Sequence, residues 1–250
     1  MIETLRPEWP APPNVGALQT LRLGGCSPPP WDSLNLGDYV GDAPERVAAN
    51  RAHLRPLLPD EPRWLRQVHG TRVLDAASVE NAPEADAAFT RQPGTVCAVM
   101  TADCLPALFC DRAGSVVAAA HAGWRGLADG VLEATVAAMG VAPGELLAWL
   151  GPAIGPRHFE VGDEVRAAFI AADSSAGAAF QALGGGQWLA DMYALARRRL
   201  AAAGLAAVYG GGLCTFAEPA RFFSYRRAEM TGRMATLIWL QPQGAASGIS

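Results

Sequence analysis

The sequence predicts an α+β fold in which a mixed β-sheet is covered by helices on the outside. Short apolar runs that end at turn residues, typical of strands, are interspersed with amphipathic stretches, typical of helices. The two kinds of segment do not alternate regularly, so an all-parallel strand–helix fold is not indicated. Of the 250 residues, 50% are hydrophobic and 18% are charged, an ordinary globular composition. We expect one domain across residues 1–250, because folds of this size often remain undivided.

Seven segments are predicted to be strands because each is a short apolar run with turn signals at its ends. They are residues 16–23, 62–68, 96–101, 115–120, 146–150, 207–210 and 234–240. The predicted helices are residues 44–54, 124–139, 162–172 and 189–203. The second helix has the clearest helical period, because one face collects apolar side chains at spacings of three and four residues. These side chains are Leu127, Val131, Leu132, Thr135 and Met139.

Charge and composition exclude several classes of function. The net charge is −4, and the 20 basic residues are all Arg without a clustered basic run, which argues against nucleic-acid binding. No segment approaches the roughly 18 apolar residues of a membrane span, and residues 1–13 lack the apolar core of a signal peptide. The chain has five cysteines, and an odd number indicates that the cysteines are reduced thiols and do not form a set of disulfides. We therefore expect a cytoplasmic protein that binds neither membrane nor nucleic acid.

Three predicted strands run into residues that ligate metals. Strand 62–68 leads to His69, strand 96–101 leads to Cys104, and strand 115–120 leads to His121. If neighbouring strands of one sheet end at the same edge, the three side chains converge there, and such edges often hold sites. Two imidazoles and one thiolate are the three-ligand set of a catalytic zinc, with the fourth position left for water or substrate. Buried cysteines and structural histidines are the common alternative, but small residues after both histidines permit close approach.

Several polar residues are candidates for a substrate pocket. Arg22 precedes a Gly-Gly loop, and Asn35 lies in a tight, otherwise apolar turn. Arg125 follows His121 by one helical turn, and Arg227 ends a Ser-Tyr-Arg-Arg segment. Guanidinium groups are suited to phosphate, although each Arg is equally compatible with a surface ion pair.

Five ordered motifs resemble a known family. They are QVHG at 67–70, MTADCLP at 100–106, HAGWRG at 121–126, GPAIGP at 151–156 and FFSYRR at 222–227. The chain resembles the bacterial YfiH-type proteins, also known as laccase-domain or polyphenol oxidase proteins, from about residue 10 to residue 240. One departure is Arg157-His158 after GPAIGP, where many relatives have Cys.

The resemblance implies a four-layer α/β/β/α sandwich with mixed β-sheets. It also implies zinc, or copper in the same site, bound by His69, Cys104 and His121, which are also the implied catalytic residues. The implied activity is phosphorolysis of adenosine, inosine and S-methyl-5'-thioadenosine, with adenosine deamination beside it. The partners are then a purine nucleoside and phosphate, and the chain is a monomer or a small homo-oligomer.

Two other enzyme classes remain open at this point. Cys104 as nucleophile and His121 as base fit a Cys–His amide hydrolase that edits peptidoglycan precursors. A copper-dependent polyphenol oxidase is the other, but a four-copper centre needs on the order of ten imidazoles and the chain has four His. A binding protein without activity would leave the converging ligands unexplained.

Overall fold

The computed structural model describes residues 2–242. The strands in this part of the chain are Thr4–Leu5 (β1), Val15–Thr20 (β2), Pro62–Arg63 (β3), Val73–Asp75 (β4), Ala87–Thr90 (β5), Val96–Thr101 (β6), Leu105–Asp111 (β7), Val117–Ala122 (β8), Leu146–Leu150 (β9), Glu160–Gly162 (β10), Phe180–Gly184 (β11), Gln187–Ala190 (β12), Ala207–Gly210 (β13) and Met234–Leu240 (β14). The α-helices are Pro44–Leu54 (α1), Trp124–Asp129 (α2), Val131–Ala138 (α3), Asp163–Ala172 (α4) and Met192–Ala202 (α5).

Two large mixed sheets form the centre of the molecule. The first has five strands in the order β1-β2-β14-β6-β3, and the last strand of the chain, β14, lies in the middle of it. β14 is antiparallel to both β2 and β6, while β3 is parallel to β6. The second sheet has six strands in the order β13-β9-β7-β8-β5-β4. A separate small sheet has the order β10-β12-β11.

The two large sheets pack face to face, because strands β6, β7, β8 and β14 are apolar on both sides. Val99 and Ile238 of the five-stranded sheet share one buried cluster with Leu108 and Ala119 of the six-stranded sheet. Alternate residues of the same strands point outward and are covered by helices. Helix α1 covers the five-stranded sheet through Leu54, and α2 to α5 cover the six-stranded sheet. The expected four-layer α/β/β/α sandwich is confirmed.

The helix predicted over 124–139 is divided in two. Gly130 adopts φ 100°, a left-handed conformation that ends α2 and begins α3, and glycine adopts it without steric cost. The helix predicted from residue 189 begins instead at Met192, because the Asp191 carboxylate caps it by accepting the Ala194 N–H at 2.9 Å. No helix within residues 2–242 is long and apolar enough to cross a membrane.

Of the seven predicted strands, four have the predicted bounds (β6, β9, β13 and β14), and the strand predicted over 16–23 is observed at Val15–Thr20. The other two are wrong in extent or position. Strand 62–68 is confined to Pro62–Arg63, and the residues that follow form a loop. Strand 115–120 is displaced to Val117–Ala122, because the Asp111 carboxylate accepts the N–H groups of Ser115 and Val116 and holds a turn there. Seven strands have no counterpart among the predicted runs: β1, β4, β5, β7, β10, β11 and β12.

Candidate metal centre and cavity

His69, Cys104 and His121 converge, as expected from the sequence. Their ligand atoms all lie within 4.8 Å of one another, and Cys104 Sγ is 3.7 Å from His69 Nε2. The sequence predicts that the three residues meet at one edge of a single sheet, and this prediction is wrong. Cys104 follows β6 of the five-stranded sheet, whereas His121 lies within β8 of the six-stranded sheet. The cluster therefore forms where two facing sheets end.

The direction of the His121 side chain follows from strand alternation. Residues of β8 two positions apart share one face of the sheet, so His121 points the same way as Val117 and Ala119, toward the facing sheet. His121 is 3% exposed. Its ring lies edge-on to that of His69, with centroids 4.8 Å apart.

Asp86 holds the two histidines in place and was not predicted from the sequence. Its carboxylate lies against the loop that carries His69 and accepts the N–H groups of Val68 at 3.2 Å, His69 at 2.9 Å and Gly70 at 2.7 Å. His69 adopts φ 62°, an uncommon conformation for a residue with a side chain. Three hydrogen bonds to one fully buried carboxylate stabilise this backbone.

The same carboxylate orients His121. Asp86 Oδ1 is 2.8 Å from His121 Nδ1, so Nδ1 carries the proton and Nε2 is left to face the cluster. Burial alone would raise the pKa of Asp86, but the hydrogen bond and charge of His121 and the loop amides outweigh burial and lower it. Asp86 is therefore an anion that fixes both the tautomer and the position of His121.

The surroundings of Cys104 favour its thiolate form. Burial would raise the pKa of this thiol, but the charge of His121 and hydrogen bonds from His121 and His69 lower it overall. The residue before it, Asp103, adopts φ 89° and is held by three hydrogen bonds. Its two carboxylate oxygens accept from Thr215 Oγ1 at 2.5 Å, Ser224 Oγ at 3.0 Å and the Arg226 N–H at 2.6 Å.

Gly123 allows the histidine and the cysteine to approach each other. A Cβ at this position would lie 3.1 Å from His69 Nε2 and 3.3 Å from Cys104 Sγ, and closer still to His69 Cδ2. The Cβ atom of any residue other than glycine would therefore overlap the side chains of His69 and Cys104.

The cluster opens into a cavity of about 390 Å³, a size typical of small-molecule sites. The lining beyond the cluster is aromatic, apolar and basic. It includes Tyr39, Trp124, Phe159, Met192, Tyr225, Arg226 and Arg233. Tyr39 and Tyr225 are about half exposed, so they stand at the mouth of the cavity.

Of the four predicted substrate-binding residues, none lines this cavity. Arg22 is occupied by Asp32, which it binds through an ion pair at 2.9 Å and a hydrogen bond to the carbonyl at 2.7 Å. Arg227 donates to three backbone carbonyls, those of Thr215, Phe216 and Phe222. Both guanidinium groups therefore hold loops together.

Asn35 and Arg125 lie near the cavity without lining it. Asn35 is fully buried, and its Oδ1 accepts the Arg233 N–H at 2.9 Å, so it positions the backbone of a residue that does line the cavity. Arg125 is exposed and stacks on Trp124, with Cζ 4.2 Å from the ring centre.

Arg226 and Arg233 are the basic residues that reach the cavity. Arg226 donates from Nη1 to the Glu160 carbonyl at 2.6 Å, and Arg233 donates from Nη1 to two carbonyls of its own loop at 3.1 Å. Arg233 also interacts with the Tyr39 side chain by a hydrogen bond and its charge. Each guanidinium group has five N–H donors, so both retain donors for an anion.

The donor set at the cluster fits a metal ion. Among the residues that the structure describes, His69, Cys104 and His121 are the one group of three with metal-binding side chains close enough together. A tetrahedral zinc with ordinary bond lengths places sulfur and nitrogen ligands about 3.6 Å apart, close to the observed 3.7 Å.

Fold and site together define a class of protein: a four-layer α/β/β/α sandwich with a His–Cys–His cluster that opens into a cavity where its two facing sheets end. The profile of a family described as multi-copper polyphenol oxidoreductase laccase matches residues 16–241. The chain belongs to this laccase-domain family, and the resemblance to YfiH-type proteins is confirmed.

Relatives match along nearly their whole length. A purine nucleoside phosphorylase of Pseudomonas aeruginosa is 58% identical over 95% of this chain and 98% of its own. The purine nucleoside phosphorylase YfiH of Escherichia coli is 56% identical over 96% of this chain and 100% of its own. A crystal structure of a Neisseria meningitidis protein superposes with a TM-score of 0.93 at 53% identity, covering 96% of this chain and 99% of that one.

Proposed function

We propose that this chain is a zinc-dependent purine nucleoside phosphorylase that acts on adenosine, inosine and S-methyl-5'-thioadenosine and also deaminates adenosine. The observation that carries the proposal is a His–Cys–His cluster at the floor of a cavity lined by aromatic rings and two available guanidinium groups. The names of the relatives at 58% and 56% identity support it. With such substrates the enzyme works in the cytoplasm, as a monomer or small homo-oligomer.

His69 Nε2, Cys104 Sγ and His121 Nε2 are the proposed ligands. A zinc ion bound there supplies Lewis acidity toward a substrate oxygen or an attacking water. Asp86 keeps the proton of His121 on Nδ1 and thus keeps Nε2 available as a ligand. In the metal-free protein, the charge and hydrogen bond of protonated His121 lower the pKa of Cys104 and favour the thiolate that a metal requires. A metal bound at the cluster would take the place of the proton on His121 Nε2.

The cavity wall suits a nucleoside and phosphate. Tyr39, Tyr225 and Trp124 offer flat faces on which a purine stacks, and base–aromatic stacking contributes about 1–3 kcal/mol per base. Arg226 and Arg233 hold the phosphate through their remaining donors, in place of the occupied Arg22 and Arg227. Asp103 is a positioning residue, because its carboxylate already accepts three hydrogen bonds.

The first experiment measures metal content by mass spectrometry together with phosphate-dependent release of adenine from adenosine. We expect about one zinc per chain, and release that is lost on chelation and restored by zinc. Cys104→Ala abolishes both metal and release, whereas the exposed-cysteine control Cys26→Ser retains both. Full activity of Cys104→Ala contradicts the proposal.

A Cys–His amide hydrolase acting on peptidoglycan precursors is the second candidate, and Asp86 favours it. Asp86 orients His121, which in turn faces Cys104, and this is the order of orienting acid, base and nucleophile in cysteine hydrolases. Metal-free protein whose Cys104 is alkylated rapidly by iodoacetamide supports this candidate instead.

Copper-dependent polyphenol oxidation is the third reading, and it rests on the family's name. Four His in the chain are too few for a four-copper centre. Copper nevertheless binds N and S ligands more tightly than zinc does. Phenol oxidation that appears only after copper loading, with no phosphorolysis by the zinc form, supports this reading.

A further inference from the structure

A second Cys–His pair lies outside the cavity and takes no part in the proposed reaction. Cys214 Sγ is 3.4 Å from His158 Nδ1. Two backbone N–H groups also point at the sulfur, that of Gly155 at 3.2 Å and that of Ala217 at 3.4 Å. Neither Cys214 nor His158 lines the larger cavity.

The sulfur is surrounded by two backbone donors and one imidazole nitrogen. A neutral thiol is a weak hydrogen-bond acceptor, whereas a thiolate accepts strongly. Two amide N–H groups therefore point donors at this sulfur, and an imidazole nitrogen lies within reach of its proton. The His158 ring is held for this contact by stacking on Phe216, with centroids 4.8 Å apart and planes inclined by 24°.

The sulfur is also accessible. Cys214 is half-buried and lines its own cavity of about 240 Å³ together with His158, Arg157 and Tyr193. The exposed Arg157 places a positive charge at this cavity. The nearby Glu218 carboxylate is engaged, since it accepts the Cys214 N–H at 3.0 Å and binds Arg221 at 2.6 Å.

We propose that Cys214 is a reactive thiolate site that forms a mixed disulfide with small anionic disulfides. The Cys214 thiol gives its proton to His158, and the resulting thiolate attacks one sulfur of the disulfide. The S–S bond of the small molecule breaks, its second half leaves as a thiolate, and a new S–S bond joins the first half to Cys214. The small disulfide is reduced and Cys214 is oxidised, so no further reactant is needed.

Cys26 provides an internal reference. It is more exposed than Cys214, but its sulfur faces oxygen atoms, Asn50 Oδ1 at 3.4 Å and the Arg46 carbonyl at 3.7 Å. The Cys26 sulfur therefore faces two acceptors, and no imidazole is among its hydrogen-bond partners in residues 2–242. Exposure alone therefore predicts that Cys26 reacts first, whereas thiolate stabilisation predicts that Cys214 does.

The test is time-resolved labelling of the intact protein with 5,5'-dithiobis(2-nitrobenzoate), an anionic disulfide, followed by peptide mass spectrometry of each cysteine. We expect Cys214 to be labelled at least about tenfold faster than Cys26 at neutral pH. Cystamine, a cationic disulfide, should show a smaller preference for Cys214. His158→Phe, which preserves the stacking on Phe216, should slow Cys214 about tenfold and leave Cys26 unchanged.

Two results would overturn the proposal: labelling of Cys214 no faster than that of Cys26, or a His158→Phe rate equal to that of wild type. Arg157→Gln separates the charge effect, since it should remove the preference for the anionic reagent and keep the effect of His158. Circular dichroism of each variant checks that the fold is retained. The labelling needs neither metal nor nucleoside, so it succeeds or fails independently of the proposed function.

Discussion

Replacing Gly123 by Ala should prevent metal binding at the proposed site while leaving the fold in place. The backbone at Gly123 has φ −63° and ψ 159°, which alanine adopts without strain. The added methyl group would meet His69 and Cys104 instead, at 3.1 Å from Nε2 and 3.3 Å from Sγ. His69 is exposed and lies on a loop, so it is the group that moves away.

The size of the effect follows from these distances. The closest contact of the new methyl group would be with His69 Cδ2. Carbon atoms in contact are about 3.5–4.0 Å apart, so the His69 ring has to move by about 1 Å to relieve this overlap. Metal–ligand distances tolerate about 0.2 Å, and the displaced imidazole is lost as a ligand. Loss of orientation alone costs about 10–100-fold in metal affinity. We therefore expect zinc affinity to fall by at least about 100-fold, which corresponds to about 2.7 kcal/mol.

Zinc affinity is measured by competition with a chromophoric chelator, and stability by thermal unfolding of the metal-free protein. The change in stability should stay within about 1 kcal/mol, or about 2–4 °C in Tm. Gly144→Ala is the matched control, since a Cβ there meets no atom within 4 Å, and it should bind zinc as wild type does. Wild-type zinc affinity in Gly123→Ala would refute the reasoning.

Three further predictions concern single polar side chains. Asp86→Asn keeps the shape of the carboxylate but removes an acceptor from His121 and the loop amides, so zinc affinity by chelator competition should fall about 10–100-fold; unchanged affinity would contradict the role of Asp86. Asp111→Asn should lower the free energy of unfolding by about 2 kcal/mol at pH 7. Burial raises the pKa of Asp111, but hydrogen bonds from Ser115 and Val116 lower it overall. The stability that the Asp111 carboxylate contributes is therefore present above the unfolded pKa of about 3.9 and is lost as the pH falls through the folded pKa. Urea unfolding should show a difference between wild type and Asp111→Asn at pH 7, and none at a pH below both the unfolded and the folded pKa. Arg226→Gln should raise KM for phosphate about tenfold with little change in KM for adenosine, whereas an equal loss for both substrates would place Arg226 elsewhere.

The parts of the fold that were predictable are the ones whose sequence carries a local signal. β6, β9, β13 and β14 begin and end where their apolar runs do, and Pro44 marks the start of α1. β7 has a weaker local signal, because it follows Cys104 directly and contains Pro106, and proline is uncommon inside a sheet. The pairing of β14 between β2 and β6 joins segments more than 130 residues apart, and no local pattern specifies it.

The candidate site was predictable for a similar reason. His69, Cys104 and His121 stand out because each follows an apolar segment, which residue type and position reveal. Asp86 follows no such pattern, and its role depends on three amides and a ring that only the folded chain brings together. The choice of Arg226 among 20 basic residues likewise depends on which guanidinium groups other atoms already occupy.

The central position of β14 has a consequence for how the protein is made. β2 and β6 bind β14 and not each other, so until residues 234–240 leave the ribosome the five-stranded sheet exists only as two separate pieces with open edges. Exposed strand edges recruit other chains, and a nascent chain held in this state needs protection. A stop codon only a few residues before Met234 should therefore be as harmful as one near the start. The end of synthesis, rather than the folding of any local segment, sets the moment at which the five-stranded sheet can be completed.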